Sequence, residues 1–464
     1  MIRTARNVSS KQRVWFHSLT ASRWAKWPRS FFREAIVDSR ALIVAGFIAS
    51  ALALVPGIAA AQFSPDCAWP YELTPHGAGN CTWPDTTARY WMMPLESKWV
   101  QMAIHGSYPN ARYMSFVTYD GQRPGNVHDS IYDASIQPDA GSGNPFTKQG
   151  GSGTYTVKVI RSSGSNPGDN KIATESGFSW VIYRIYLPDE GQNTTGGVVL
   201  PGVTLTDQNG NTQTLAPCAA VNAFSDLSTV MNQFYPFDTG VNSYVSPDRL
   251  WFAPPDKAPP SLVPNPNNKY INAAPGNYQH GRIIVMRGKA PSFPNTYNGG
   301  SVLQPAKPFK TVQLRYWSLC VNDYTVPFPA VDCLTDLNAR LDRKGFHTTV
   351  ISDDLMAPDW LPANVNWLPW GDEQTNKAIF FRNMLPAANF PYSVQQAILD
   401  GCTYSFASFP IPPTPVQIEQ AGHCAQAVMG DYYPVGVWCD TPTFRRSGWK
   451  GCFRAAGMTA SEYE

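Results

Sequence analysis

A block of sequence that occurs twice limits what this chain can fold into more than any other feature. The first copy is Arg112-Tyr113-Met114-Ser115-Phe116, running on to Asp120, and the second is Arg315-Tyr316-Trp317-Ser318-Leu319, running on to Asp323. Each is preceded by a Gly-x-x-Pro (Gly106 and Pro109; Gly288 and Pro291). Each is followed, beyond a Gly-led β-like stretch, by an Arg-x-x-Leu-Pro (Arg184 and Pro188; Arg382 and Pro386). Three markers in one order imply two copies of one structural unit. Within the block Tyr113, Ser115, Val117 and Tyr119 alternate with Arg112, Met114, Phe116, Thr118 and Asp120. That period of two predicts a strand with chemically distinct faces.

Further strands are predicted at residues 155–160, 180–187, 282–287, 347–352 and 378–384. The 41 prolines and 35 glycines punctuate these short apolar stretches and leave little room for helix-period runs before residue 390. Antiparallel sheets with one apolar face must bury it against another sheet. The expected fold is therefore mostly β: two homologous β-sandwich domains, Ig-like or jelly-roll, arising by internal duplication and covering residues 62–253 and 269–390. The Pro/Asn-rich stretch 254–268 reads as the linker between them. A short helix is predicted over 220–234. Helices at 393–399 and 415–429, with Cys439 and Cys452 beyond them, make 391–464 read as a small helical, disulfide-bearing C-terminal appendage.

The apolar run at 41–61 follows a Lys/Arg-bearing stretch and ends in small residues, as a cleaved export signal does; an uncleaved membrane anchor is the alternative. Up to residue 61 there are 9 basic and 2 acidic residues, so the remainder holds 27 basic against 32 acidic, a net charge of −5. That balance argues against a nucleic-acid partner, which requires clustered positive charge. All nine cysteines lie beyond residue 61, which suits a secreted, periplasmic or envelope location. Nearness in sequence suggests Cys67 with Cys81, Cys320 with Cys333 and Cys439 with Cys452, while Cys218, Cys402 and Cys424 compete for the rest. No CxxC spacing supports a zinc ribbon or thioredoxin-type site.

The second copy, with Arg315-Tyr316-Trp317-Ser318-Leu319, a turn at Gly345, Asn366-Trp367-Leu368-Pro369 and the strand holding Arg382, resembles a bacterial domain-of-unknown-function family, the one numbered twelve-fourteen. That family is often found downstream of the one numbered twelve-fifty-four. The first copy keeps Arg112, Tyr113, Ser115 and Asp120 but lacks Asn-Trp-Leu-Pro. The resemblance implies paired all-β sandwich or jelly-roll domains and assigns no activity.

No Gly-x-Ser-x-Gly, HExxH or phosphate-binding loop is present. His128 with Asp129 or Asp133 is the candidate acid/base set, Asp353 and Asp354 are further carboxylates, and Asp133 and Asp139 are candidate metal ligands within the acidic stretch 129–144. Arg112 and Arg315, each paired in sequence with the Asp that ends its strand, are candidate ligand clamps, although recurrence in both copies favours a structural role. Trp360, Trp367 and Trp370, like Trp83, Trp91 and Trp99, are candidate stacking platforms or core residues. The expectation is an exported binding or interaction module of the cell envelope or extracellular space. Its partner would be a glycan, a lipid or another envelope ligand held between the domains, and a membrane only if the N-terminal segment stays attached. A secreted hydrolase acting on an extracellular polymer or amphipathic substrate is the alternative.

Overall fold

The computed structural model describes residues 65–121, 126–148, 152–162, 170–223, 248–256, 263–405 and 414–463. The apolar run at 41–61, expected to be an export signal, and most of the helix expected over 220–234 lie outside these residues; the start of the latter is a two-residue strand.

The first half contains β1 (Tyr71–Leu73), β2 (Ala88–Leu95), β3 (Trp99–Ser107), β4 (Ala111–Asp120), β5 (Val127–Tyr132), β6 (Thr154–Arg161), β7 (Lys171–Thr174), β8 (Ser179–Pro188), β9 (Gly202–Asp207), β10 (Thr212–Leu215) and β11 (Asn222–Ala223). The second contains β12 (Arg249–Leu250), β13 (Asn268–Ala273), β14 (Arg282–Lys289), β15 (Leu314–Asp323), β16 (Ala330–Thr335), β17 (Phe346–Ser352), β18 (Asn366–Pro369), β19 (Lys377–Pro386) and β20 (Val435–Asp440). Helices α1 (Val394–Leu399), α2 (Pro415–Met429) and α3 (Thr441–Ala455) belong to the C-terminal region. Among the described residues no helix is long and apolar enough to cross a membrane.

The order β2-β8-β4-β5 in one sheet of the first half recurs as β13-β19-β15-β16 in the second. The order β9-β3-β6-β7 recurs as β20-β14-β17-β18, and the parallel pairs β6/β7 and β17/β18 fall at equivalent places. Each half is a sandwich. Trp91, Met93, Met114, Phe116 and Tyr183 of one sheet meet Met102, Ile104, Val157 and Val203 of the other in the first core. In the second, Trp317, Leu319 and Phe381 meet Ile284, Met286, Val350 and Val437. Each such side chain contributes about 1.5–3 kcal/mol by leaving water.

The sheets that hold β4 and β15 are covered on both faces. Met114 and Phe116 point into the first sandwich, whereas Tyr113, Val117 and Tyr119 join Tyr316, Phe328 and Met384 in a third core between the sandwiches. This explains why every residue of β4 and β15 except the final Asp is buried. The sequence markers gain physical reasons too. A Cβ on Gly106 would lie 2.6 Å from the Tyr155 hydroxyl, and one on Gly288 would lie 3.2 Å from Nε2 of His347, so a ring crosses the glycine in both halves. Leu187 and Leu385 of the Arg-x-x-Leu-Pro segments take left-handed backbone angles, φ 46° and 45°. Their N–H groups donate to the carbonyls of Thr87 and Asn267 (3.0 and 3.1 Å).

Two expectations are corrected. The tail is no appendage, because β20 pairs with both β12 and β14 inside the second sandwich and holds the place that β9 holds in the first. The second unit likewise begins before the expected linker, at β12. Cys67 pairs with Cys218, 151 positions away, and not with Cys81, which is a free buried thiol pushed up to about 12 by burial. Sequence nearness fails here because Ala68 bridges to Pro217 across the sheet edge and brings the distant cysteine alongside. Cys320–Cys333 and Cys439–Cys452 form as expected, and Cys402 pairs with Cys424.

Candidate functional site

Charged residues of the repeat meet where the inner sheets face each other. Arg112 Nη1 donates to Asp336 Oδ2 at 2.7 Å, and Arg315 Nη1 donates to Asp133 Oδ1 at 2.7 Å. Each guanidinium also reaches the other arginine's carbonyl, at 3.4 Å in both directions. The contact is reciprocal, as across a two-fold axis. The carboxylate partner of Arg112 is therefore Asp336 of the other half, not the Asp120 of its own strand, because β4 runs the full width of the sheet between them. The acids sit just beyond β5 and β16 and also accept the backbone N–H of Met114 (2.9 Å) and Trp317 (3.4 Å). Burial pushes the Asp336 carboxyl up to about 6 despite the opposing pull of Arg112, and burial raises Asp133 likewise against Arg315.

The same reciprocity extends to Arg184 and Arg382, which occupy equivalent positions on β8 and β19, opposite Tyr90 and Tyr270. Arg184 Nη2 donates to the Val263 carbonyl (2.6 Å) in the segment before β13, and Arg382 Nη2 donates to the Trp83 carbonyl (2.8 Å) in the segment before β2. Two residues on stand Asp85 and Asn265, each accepting from a tyrosine of the opposite half. Tyr316 donates to Asp85 at 2.9 Å, and Tyr113 donates to Asn265 at 3.2 Å. The symmetry breaks in charge. Arg382 has Asp85 within 3.7 Å, whereas the residue at the equivalent position before β13 is the neutral Asn265.

Around this flank lies a cavity of about 470 Å³ between the sandwiches. Its wall combines Trp83, Tyr90, Arg184 and Tyr186 from the first half with Asn265, Asn268, Tyr270, Phe380 and Arg382 from the second, and Ile398 at the end of α1 also contributes. The size is that of pockets for drug-sized ligands. Tyr90 donates to Tyr186 (3.1 Å), and burial pushes Tyr90 up to about 12 and raises Tyr186 and Tyr270, so all three are neutral phenols at physiological pH. The guanidinium of Arg184 lies over Tyr90 and Tyr119, and that of Arg382 over Tyr270 and Phe380.

The sequence-derived site residues are placed elsewhere, Trp83 excepted. His128 Nε2 contacts the Ser162 carbonyl at 3.1 Å, and Asp129 accepts the N–H groups of Ser130 (2.7 Å) and Ala173 (2.8 Å). Asp133 is committed to Arg315, so the set His128, Asp129 and Asp133 does not converge on a reacting centre. Asp139 lies in the connection after β5 and meets neither Asp129 nor Asp133 in a shared ligand set; the acidic stretch assembles no three-ligand group among the described residues. Asp354 accepts from Ser352 (2.7 Å), and Asp353 stands near the exposed His280 and Glu373. Asp85 lies beside Cys320 and Cys333, but their sulfurs are joined to each other and cannot serve as thiolate ligands. Arg112 lines a second hollow of about 450 Å³ with Phe293 and Tyr297, its charge already met by Asp336. Trp370 is fully buried against Trp438, Trp360 packs on Phe444 of α3, and Trp367 donates to Ser352 (2.9 Å), so this loop serves the second core rather than an open stacking surface.

No family model matches the chain, and no curated protein matches it. Among solved structures it is similar to an uncharacterized protein from Burkholderia cenocepacia, with 14% identity, 70% of this chain and 80% of that one covered, and a TM-score of 0.45. The VPA0106 protein from Vibrio parahaemolyticus is a second, with 11% identity, 66% and 86% covered, and a TM-score of 0.35.

Proposed function

We propose that this is an exported binding protein of the envelope or extracellular space, built by internal duplication, that holds a small or polymer-borne ligand between its two sandwiches. The observation that carries the reading is the aromatic-lined cavity of about 470 Å³ at the contact between the halves, walled by both. The repeated strand order supports duplication, and four disulfides with all cysteines beyond the apolar segment support export to an oxidising compartment. The resemblance to the families twelve-fourteen and twelve-fifty-four agrees with paired β domains. A hydrolase reading has no converging acid and base to rest on among the residues singled out for it.

Trp83 lies in the cavity wall, so its emission reports occupancy. Titration of the disulfide-intact chain with lipids and cell-wall glycans should change its fluorescence saturably for at least one class, and Trp83→Phe should remove most of the signal. A flat response across the panel would sink the binding role.

A further inference from the structure

Arg184 is a buried cation that the fold leaves short of an anion. The residue is 1% exposed, and among the described residues no carboxylate lies within salt-bridge distance of it. Its Nη2 is held by the Tyr119 hydroxyl and the Val263 carbonyl, both at 2.6 Å, while its Nη1 has no hydrogen-bond partner. Two more N–H donors of residues in the same wall are also unpartnered, Nδ2 of Asn265 and Nε1 of Trp83, and like Arg184 Nη1 they are buried, so an occupant meets them through a small turn of these side chains. The Asn265 amide is oriented by its own bonds. Its Oδ1 accepts from the Tyr113 hydroxyl (3.2 Å) and the Asn267 N–H (3.1 Å), which turns Nδ2 the other way. Against these three donors the wall offers one unpartnered acceptor, Oδ1 of Asn268. A buried donor without a partner costs about 1–3 kcal/mol, more when it is charged, and an uncompensated buried charge is rarer still in folded proteins. The mirror flank shows what completes the arrangement, since there a carboxylate oxygen of Asp85 stands 3.7 Å from Arg382 Nη1.

We infer that the cavity receives an amphiphile with an oxyanion head, and that Arg184 and Asn265 take the head in the place that Asp85 fills on the other flank. This rests on the reading of the cavity as a binding site and adds the ligand's chemistry. The head supplies acceptors and no donors, which matches three free N–H groups better than a neutral sugar, whose hydroxyls would bring donors to a wall already in surplus. Lys269, exposed in the cavity wall, adds positive charge on the approach. The body of the ligand lies against Leu73, Val127, Tyr186, Tyr270, Phe380 and Ile398.

The test compares dodecanoate, dodecyl phosphate, dodecanol and dodecyltrimethylammonium, each below its micelle concentration, on the disulfide-intact chain by calorimetry and tryptophan emission. At least one anion should bind about tenfold or more tightly than the alcohol, with the cation weakest, as charge-assisted hydrogen bonds dictate. Preference between the two anions then tells a carboxylate head from a phosphate one. Asn265→Asp should erase the anion preference by supplying the missing carboxylate internally. Lys269→Glu, at an exposed position where folding is not at stake, should weaken the anions several-fold more than it weakens the alcohol. If dodecanol binds as tightly as both anions, or if Asn265→Asp leaves anion affinity intact, the head-group assignment is overturned while the cavity remains a binding site. If no amphiphile of any charge binds, the assignment falls, and a negative lipid and glycan titration would take the cavity reading with it.

Discussion

The two flanks of the contact between the sandwiches share an arginine, a facing tyrosine and a carbonyl anchor, and differ in charge. On one, Arg382 reaches across to the segment before β2, where Asp85 stands within 3.7 Å; on the other, Arg184 reaches across to the Val263 carbonyl in the segment before β13, where the residue equivalent to Asp85 is Asn265. The first flank is closed electrostatically by the protein itself. The second keeps a guanidinium, aromatic neighbours and a carbonyl anchor, meets the Tyr119 hydroxyl and no disulfide sulfur, and lacks the anion.

The comparison is most severely tested at the axis, where the halves are alike. Arg112→Met and Arg315→Met should each destabilise the chain by about 3–5 kcal/mol, because each strands a buried aspartate, and urea unfolding should give the two variants nearly equal losses. Adding Asp336→Leu to Arg112→Met should recover most of the loss; a double variant as unstable as the single one would contradict the pairing. On the closed flank, Asp85→Asn should cost about 3 kcal/mol by leaving Arg382 as Arg184 is now, and it should create a second anion preference where none existed.

Another difference between the halves lies under the marker glycines, where Tyr155 covers Gly106 but His347 covers Gly288. His347 is fully buried, stacked on Trp317, and burial, aided by Arg287, lowers it from 6.5 to about 4. A depressed histidine takes up its proton in the unfolded chain first, so stability is lost as pH falls from about 6.5 towards 4, by roughly 3 kcal/mol in all. His347→Tyr, which makes the second half like the first, should flatten the stability curve over that window; an unchanged slope would show that His347 does not titrate as its burial requires. The smallest effect is expected from Asn265→Asp, a gain of about 1 kcal/mol from pairing Arg184, read as a raised urea midpoint with no change in slope.

Much of this was legible in the sequence. The period-two block predicted β4 and β15 to within a residue, and the helix over 415–429 coincides with α2. The place of β20 was hidden because a strand separated from its sandwich by two helices carries no local sign of where it returns. Cys67 was misassigned because disulfides follow distance in space, which the sheet sets. Arg184 and Arg382 were in plain view as part of the repeat, and recurrence made them read as framework. The deciding signal lay just ahead of the repeat as recognised: Trp83-Pro84-Asp85 in one copy against Val263-Pro264-Asn265 in the other, each five residues before a Tyr that faces its arginine.

The crossed bonds at the axis have a consequence for the chain as a single molecule. Each half lends its pre-strand segment and its acidic turn to the other, so matched bonds run from first to second and back again. That is the form of an isologous dimer, in which the pairing surface is complete on each partner. The covalent connection between the halves then acts chiefly through effective concentration. A chain cleaved between its two halves should migrate as one particle until diluted or denatured.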